Sequence, residues 1–219
     1  MNKNISAEIS WLDRDIKRFK DLGYIIPKVQ RKIYSAIRDH WVHGKTVVDI
    51  GCSIGIGANI LSHEARHVQG LEINEESVRF CSRLFSRPNL DVTQFDIENP
   101  TDRPMSKFDV ITMIEVIEHL EDPMKGIDLI KRFMGKDSVA FVTVPNTAHQ
   151  KVKDADAKNE LHIQHWTPGE FYNLMIKHFE HVTMFSSYRL NQWEQGETTD
   201  GNDTTSRVII VKLEGVKNV

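Results

Sequence analysis

Asp49 near the end of the apolar run TVVDI is followed by Gly51, Gly55 and Gly57 in the order D-x-G-x-x-x-G-x-G. A buried strand that passes directly into clustered glycines and then a helix lets the backbone approach a ligand at the strand's carboxyl end, the architecture of a nucleotide-type pocket. The spacing differs from the G-x-G-x-x-G of dinucleotide folds, and the Lys-Ser/Thr pair of a phosphate loop is missing, so a nicotinamide dinucleotide or a nucleoside triphosphate is disfavoured. Glu72 ends the next apolar run, about twenty residues past the first glycine, where a carboxylate can accept both hydroxyls of a free ribose diol. Asp96 in FDIEN ends a third run, positioned to accept from an exocyclic adenine amine while Ile97 offers its backbone N–H. Three carboxylates at successive strand ends point to an adenosine-bearing ligand.

The elements that must position these groups are legible as an alternation of short apolar runs and helical stretches. TVVDI leads to a helix near Ala58–His63, VQGLEI to Glu75–Phe85, and LDVTQFDI is followed by FDVITMI. A helix near Pro123–Met134, the strand SVAFVTV and a helix near Pro168–Lys177 continue the series. The pattern predicts an α/β, three-layer fold, a mostly parallel sheet with helices on both faces. The last two runs, HVTMFSSY and SRVIIVKLE, are joined by a polar stretch too short for a crossover helix, so they should pair antiparallel. Upstream, helical spacing of apolar residues predicts one helix over Ile5–Gly23 and a second from Val29 to Trp41, broken at His43-Gly44. The expected organisation is therefore an N-terminal helical extension, residues 1–44, capping the substrate side of a core spanning 45–219.

With 219 residues and 40% hydrophobic content, the chain can bury one sizeable core. A net charge of -3 gives no global positive field for nucleic acid or an anionic membrane. Two cysteines, Cys52 and Cys81, cannot form a disulfide framework, and the N-terminus has neither a signal-peptide core nor a membrane span, which predicts a soluble protein of the reducing cytoplasm.

VVDIGCSIGIG, LEIN, FDIEN and FDVITMIEVIEHLEDP resemble the successive motifs of class I, Rossmann-like S-adenosylmethionine-dependent methyltransferases over roughly Lys45–Asn146. The resemblance implies a seven-stranded sheet whose last strand is antiparallel, and S-adenosyl-L-methionine as cofactor. Carried over, the glycine loop faces the methionine part, Glu72 the ribose and Asp96 the adenine. The implied cofactor set is Asp49, Gly51, Cys52, Gly55, Gly57, Glu72, Ile73, Asp96, Ile97 and Glu115.

The fourth motif, EVIEHLEDP, is similar to that of ubiquinone-biosynthesis and related small-molecule methyltransferases, and more weakly to that of the small-RNA 2'-O-methyltransferases called Hen1. The Hen1 resemblance implies that Glu115, Glu118, His119 and His162 hold a divalent metal, which lowers the pKa of an acceptor hydroxyl. The small-molecule resemblance implies no metal, a supporting role for Glu118, and His119 or His162 as a base, making these three the candidate catalytic residues. The segment after Asn146 lacks the doubled histidine and Phe-Glu-Trp-Thr of Hen1.

Methyl transfer from a sulfonium is an in-line displacement that demands alignment and exclusion of water more than covalent chemistry. Histidines 119, 162 and 165 near the expected acceptor face favour an oxygen nucleophile on a small-molecule or sugar acceptor. RNA-end methylation and a non-catalytic cofactor-binding module are the alternatives. Acceptor choice should reside in the N-terminal helices, the loop Asn146–Gln164 and the hairpin Leu190–Ser206, with Trp11, Trp166 and Trp193 as candidate lining.

Overall fold

A computed structural model describes residues 26–100, 106–186 and 204–217. The first predicted helix, Trp11, Trp193 and most of the hairpin loop lie outside them. The chain order is α1 (Lys28–Trp41), β1 (Thr46–Ile50), α2 (Ile56–Leu61), β2 (His67–Glu72), α3 (Glu75–Leu84), β3 (Leu90–Gln94), β4 (Phe108–Ile114), α4 (Pro123–Phe133), β5 (Met134–Pro145), α5 (Gln150–Asp156), α6 (Pro168–Met175), β6 (Phe179–Ser186) and β7 (Val208–Val216). One 3-10 turn, Ile117–His119, follows β4.

The strands form one seven-stranded sheet in the order β3-β2-β1-β4-β5-β7-β6. β7 runs antiparallel to both β5 and β6, and the remaining pairings are parallel, as the connection lengths predict. Because β1 is flanked by β2 on one side and β4 on the other, the order reverses at β1, and the crevice beyond its carboxyl end is where such sheets bind ligands.

Strand periodicity divides the core into two layers. Val48 and Ile50 of β1, Ile111 and Met113 of β4, and Ala140 and Val142 of β5 pack with Ile127 and Ile130 of α4 and Phe171 and Met175 of α6. Val47, Val110 and Phe141 face the other way, against Ile33 and Ile37 of α1 and Ala58 and Leu61 of α2. The same alternation turns Asp49 and Thr112, register partners in β1 and β4, toward α1. Helix starts follow local chemistry: Asn74 and Asp122 cap α3 and α4, and Thr167 with Glu170 forms a capping box on α6.

Two boundaries differ from the sequence reading. β3 stops at Gln94, so Asp96 stands two residues beyond the strand; the Phe95 N–H closes onto the Glu72 carbonyl, and Asp96 then turns onto its own loop. The segment Asn146–Gln164 contains α5, whose polar sequence QKVKDAD carries too few apolar residues to announce a helix.

Gly55 caps α2 in the left-handed region, φ +81°, and a Cβ there would stand 2.1 Å from the thiol of Cys81, itself 1% exposed. Gly55→Ala should therefore cost about 2 to 5 kcal/mol, from left-handed backbone strain and overpacking together. That corresponds to a thermal midpoint lowered on the order of 5–15 °C in a chain of this size. The double variant Gly55→Ala/Cys81→Ala should recover only the overlap portion, and a midpoint unchanged by the single variant would contradict the packing described.

Candidate active site

The carboxyl edges of β1, β2, β4 and β5 carry nearly all of the sequence-predicted residues. On the cofactor side, Asp49 is fully buried; its Oδ1 accepts from Thr112 Oγ1 at 2.6 Å and from the Tyr34 hydroxyl at 3.0 Å. Burial pushes its carboxyl up to about 7 despite those two bonds, which act to lower it. Oδ2 is buried and, among the described residues, has no partner. Tyr34 also fills the space over Gly57, where a Cβ would come within 2.2 Å of its ring. Tyr34 was not singled out in the sequence, because no local signal marks its bond to Asp49.

Glu72 ends β2 with 7% exposure, its Oε2 accepting the Ser53 N–H at 2.8 Å and its Oε1 the Asn74 N–H at 2.9 Å. These bonds lock the carboxylate beneath the glycine loop, where Ser53 itself is left-handed at φ 50°. Ile73 follows at 53% exposure, an apolar side chain open to solvent. Cys52 is buried in the loop and burial raises its thiol pKa, which makes it packing rather than a nucleophile. Asp96 accepts from the Glu98 N–H and Asn99 Nδ2, with Ile97 packed partly against the core. A glycine cradle, a carboxylate locked at the end of β2 and, among the described residues, an orphaned buried oxygen on Asp49 together fit an adenosine-bearing cofactor with a cationic amine.

The loop after β4 forms the second half. Glu115 sits at φ 56°, a strained setting of the kind that accumulates at functional sites. Its Oε1 accepts from Thr143 Oγ1 at 2.8 Å, and burial followed by the charge of Asp156 raises its carboxyl to about 7, against the opposing Thr143 bond. Glu118 is fully buried, and neither carboxyl oxygen has a hydrogen-bond partner among the described residues. Burial, reinforced by Glu115, holds it well above the carboxylate range. Its backbone carbonyl accepts from Ile163 and Gln164, which pins the segment bearing His162 over the turn.

His119 Nδ1 meets the Leu161 carbonyl at 2.8 Å, and desolvation lowers the pKa of this partly open imidazole. His162 Nδ1 meets Asp156 Oδ1, and His165 Nδ1 meets Asp156 Oδ2 at 2.5 Å. A carbonyl and a carboxylate only accept, so all three Nδ1 atoms in contact with them carry protons, and a neutral His119 or His162 ring keeps its lone pair on Nε2. The two rings lie 4.7 Å apart, edge to face. A Glu118 oxygen and one nitrogen from each histidine fall within 4.8 Å of one another. Asp156, the 95%-buried orienting group, was missed in the sequence because KDADAKN carries no pattern that marks one carboxylate from another.

Glu115, Asp156 and His162 line a cleft of about 290 Å³, closed by Pro145, Val152, Lys151 and Arg207. Trp166 packs on Phe171 at 5.3 Å instead of facing this cleft.

Sheet order and site position together define a Rossmann-like methyltransferase. The chain belongs to the family described as a methyltransferase domain, whose model matches residues 26–196. It is 29% identical over 138 residues to a ubiquinone biosynthesis O-methyltransferase of Erwinia tasmaniensis, covering 62% of this chain and 56% of that protein. The chain thus spans little more than half the length of such curated relatives. Among solved structures it resembles the putative methyltransferase of Haloferax volcanii seen in complex with the Trm112 methyltransferase activator, with TM-score 0.69, 14% identity and 96% of each chain covered. It also resembles a bacterial Hen1 methyltransferase domain, with TM-score 0.60, 18% identity, and 85% and 98% coverage. No helix among the described residues is long and apolar enough to cross a membrane.

Proposed function

We propose that the enzyme methylates a hydroxyl of a small-molecule or sugar acceptor bound in the cleft between Glu115 and α5. The observation that carries this reading is His162, oriented by buried Asp156 so that its Nε2 lone pair is free to take a proton. An alcohol or phenol needs such a base as its oxygen attacks, whereas an amine needs only to be neutral. The O-methyltransferase named among the relatives is consistent with an oxygen acceptor.

In this mechanism S-adenosylmethionine supplies an electrophilic methyl group. Asp49, Gly51, Cys52, Gly55, Gly57, Glu72, Ile73, Asp96, Ile97 and Glu115 bind and orient the cofactor, with Glu72 receiving the ribose hydroxyls. His162 accepts the acceptor's proton at Nε2, and Asp156 stabilises the imidazolium that forms. Glu118 and His119 shape the floor beneath it. A screen with methyl-labelled cofactor against catechols, hydroxybenzoates, sugars and RNA should place label on oxygen of a small molecule. Incorporation only at nitrogen, or only into RNA, refutes the reading.

A second reading, a divalent cation held by Glu118, His119 and His162 with Glu115 nearby, is favoured by one observation. Three lone-pair groups converge within 4.8 Å around a carboxyl that has no donor among the described residues, and the Nδ1 contacts to Leu161 and Asp156 are the outer-sphere bonds that metal-ligating imidazoles make. The fit is good, and a bound cation would lower the hydroxyl's pKa. Manganese titration followed by electron paramagnetic resonance should show one site that Glu118→Ala removes. No bound manganese, together with activity indifferent to EDTA, rules it out.

A further inference from the structure

The walls of the acceptor cleft are charged in an uneven way. Its two acids are engaged by their own neighbours, Asp156 by two imidazoles and Glu115 by Thr143. Its two strong bases are not: Lys151 at the start of α5 and Arg207 just before β7 line the same cleft, and neither has an ion pair among the described residues. The backbone holding Arg207 is fixed, since its carbonyl accepts the Asn146 N–H at 3.1 Å and Asn146 Nδ2 bonds the adjacent Ser206 carbonyl at 2.8 Å. Two uncommitted cations therefore flank a space of about 290 Å³, at the lower end of ligand-site sizes and matched to a single ring with a few substituents. An arginine fork and a lysine point charge are suited to an oxyanion.

Resting on the O-methylation reading, we propose that the acceptor carries an anionic oxygen group, a carboxylate or phosphate, which Lys151 and Arg207 hold while the hydroxyl turns toward His162. The cationic rim then acts as the specificity determinant: it fixes the end of the molecule that does not react, and so selects which hydroxyl reaches the methyl group. Surface bases are ordinarily solvated at little gain. These two differ by sharing one concave wall with the proposed base.

The test uses matched probes that differ only in the anion. Protein saturated with S-adenosylhomocysteine is titrated calorimetrically with 3,4-dihydroxybenzoate against catechol, and with glucose 6-phosphate against glucose. In at least one pair the anionic member should bind about tenfold tighter, the scale of one charge-assisted contact pair. In the Lys151→Ala/Arg207→Ala double variant that preference should fall to within about twofold, with the thermal midpoint and S-adenosylhomocysteine affinity unchanged, the loss expected when such contacts go. The pair that responds identifies carboxylate or phosphate. Equal binding within both pairs, no detectable binding of either anion, or a preference surviving in the double variant overturns the inference. Methyl incorporation measured on the same mixtures separates the two readings: anion preference without O-methylation removes only the proposed activity, and O-methylation confined to the neutral members removes only the anion rim.

Discussion

Glu72→Ala should reduce S-adenosylmethionine affinity by roughly 10²–10³-fold, the equivalent of two charge-assisted hydrogen bonds to a ribose diol. The truncation also strands the N–H groups of Ser53 and Asn74, which the carboxylate now satisfies, so the glycine loop loses its anchor at the same stroke. Glu72→Gln separates these contributions. Its amide keeps one acceptor oxygen, so binding should be weakened by about tenfold, with the loop still tied to β2 on one side. Calorimetry with the cofactor measures both. Native affinity in Glu72→Ala would remove this residue from the pocket altogether.

His162→Ala should lower kcat by about 10²–10³-fold while cofactor affinity stays within about twofold of native, because general-base assistance of this kind contributes about that much. Added imidazole should restore part of the lost rate in the alanine variant, a response that a merely structural residue would not give. Asp156→Asn should follow in the same direction with a loss of about tenfold or more, since an amide cannot accept from two imidazoles and stabilise a positive charge as a carboxylate does. Unchanged kcat in His162→Ala would assign the proton to another acceptor, with His119 next in position.

The fold was legible because it rests on periodicity. The runs of β1, β4 and β5 fill in a way that a sheet buried on both faces explains, and the antiparallel final pair follows from a connection too short for a crossover helix. The glycine spacing and the acids Asp49 and Glu72 near the ends of β1 and β2 were also plain in the sequence, whereas Asp96 stands two residues beyond β3. What stayed hidden are side-chain contacts that no local pattern marks, whether near or far along the chain. Tyr34 meets Asp49 across 15 residues, while Asp156 at the end of α5 meets His162 and His165 six and nine residues on. Neither carboxylate nor phenol differs, in one dimension, from its solvated or packed equivalents. Lys151 and Arg207 are the clearest case: 56 positions apart by their numbers, they share a wall only after β7 inserts between β5 and β6.

That Tyr34 hydroxyl, donated from α1 to a carboxylate in the sheet, ties an element outside the strand-turn-helix motif to the floor of the cofactor loop. Loop order and helix docking then share one free energy. By reciprocity, a ligand that steadies the glycines stabilises α1 by the same amount that α1 strengthens the ligand's binding. Occupancy of the pocket and docking of α1 should then be linked, and a change at Tyr34 should alter affinity without touching the ligand.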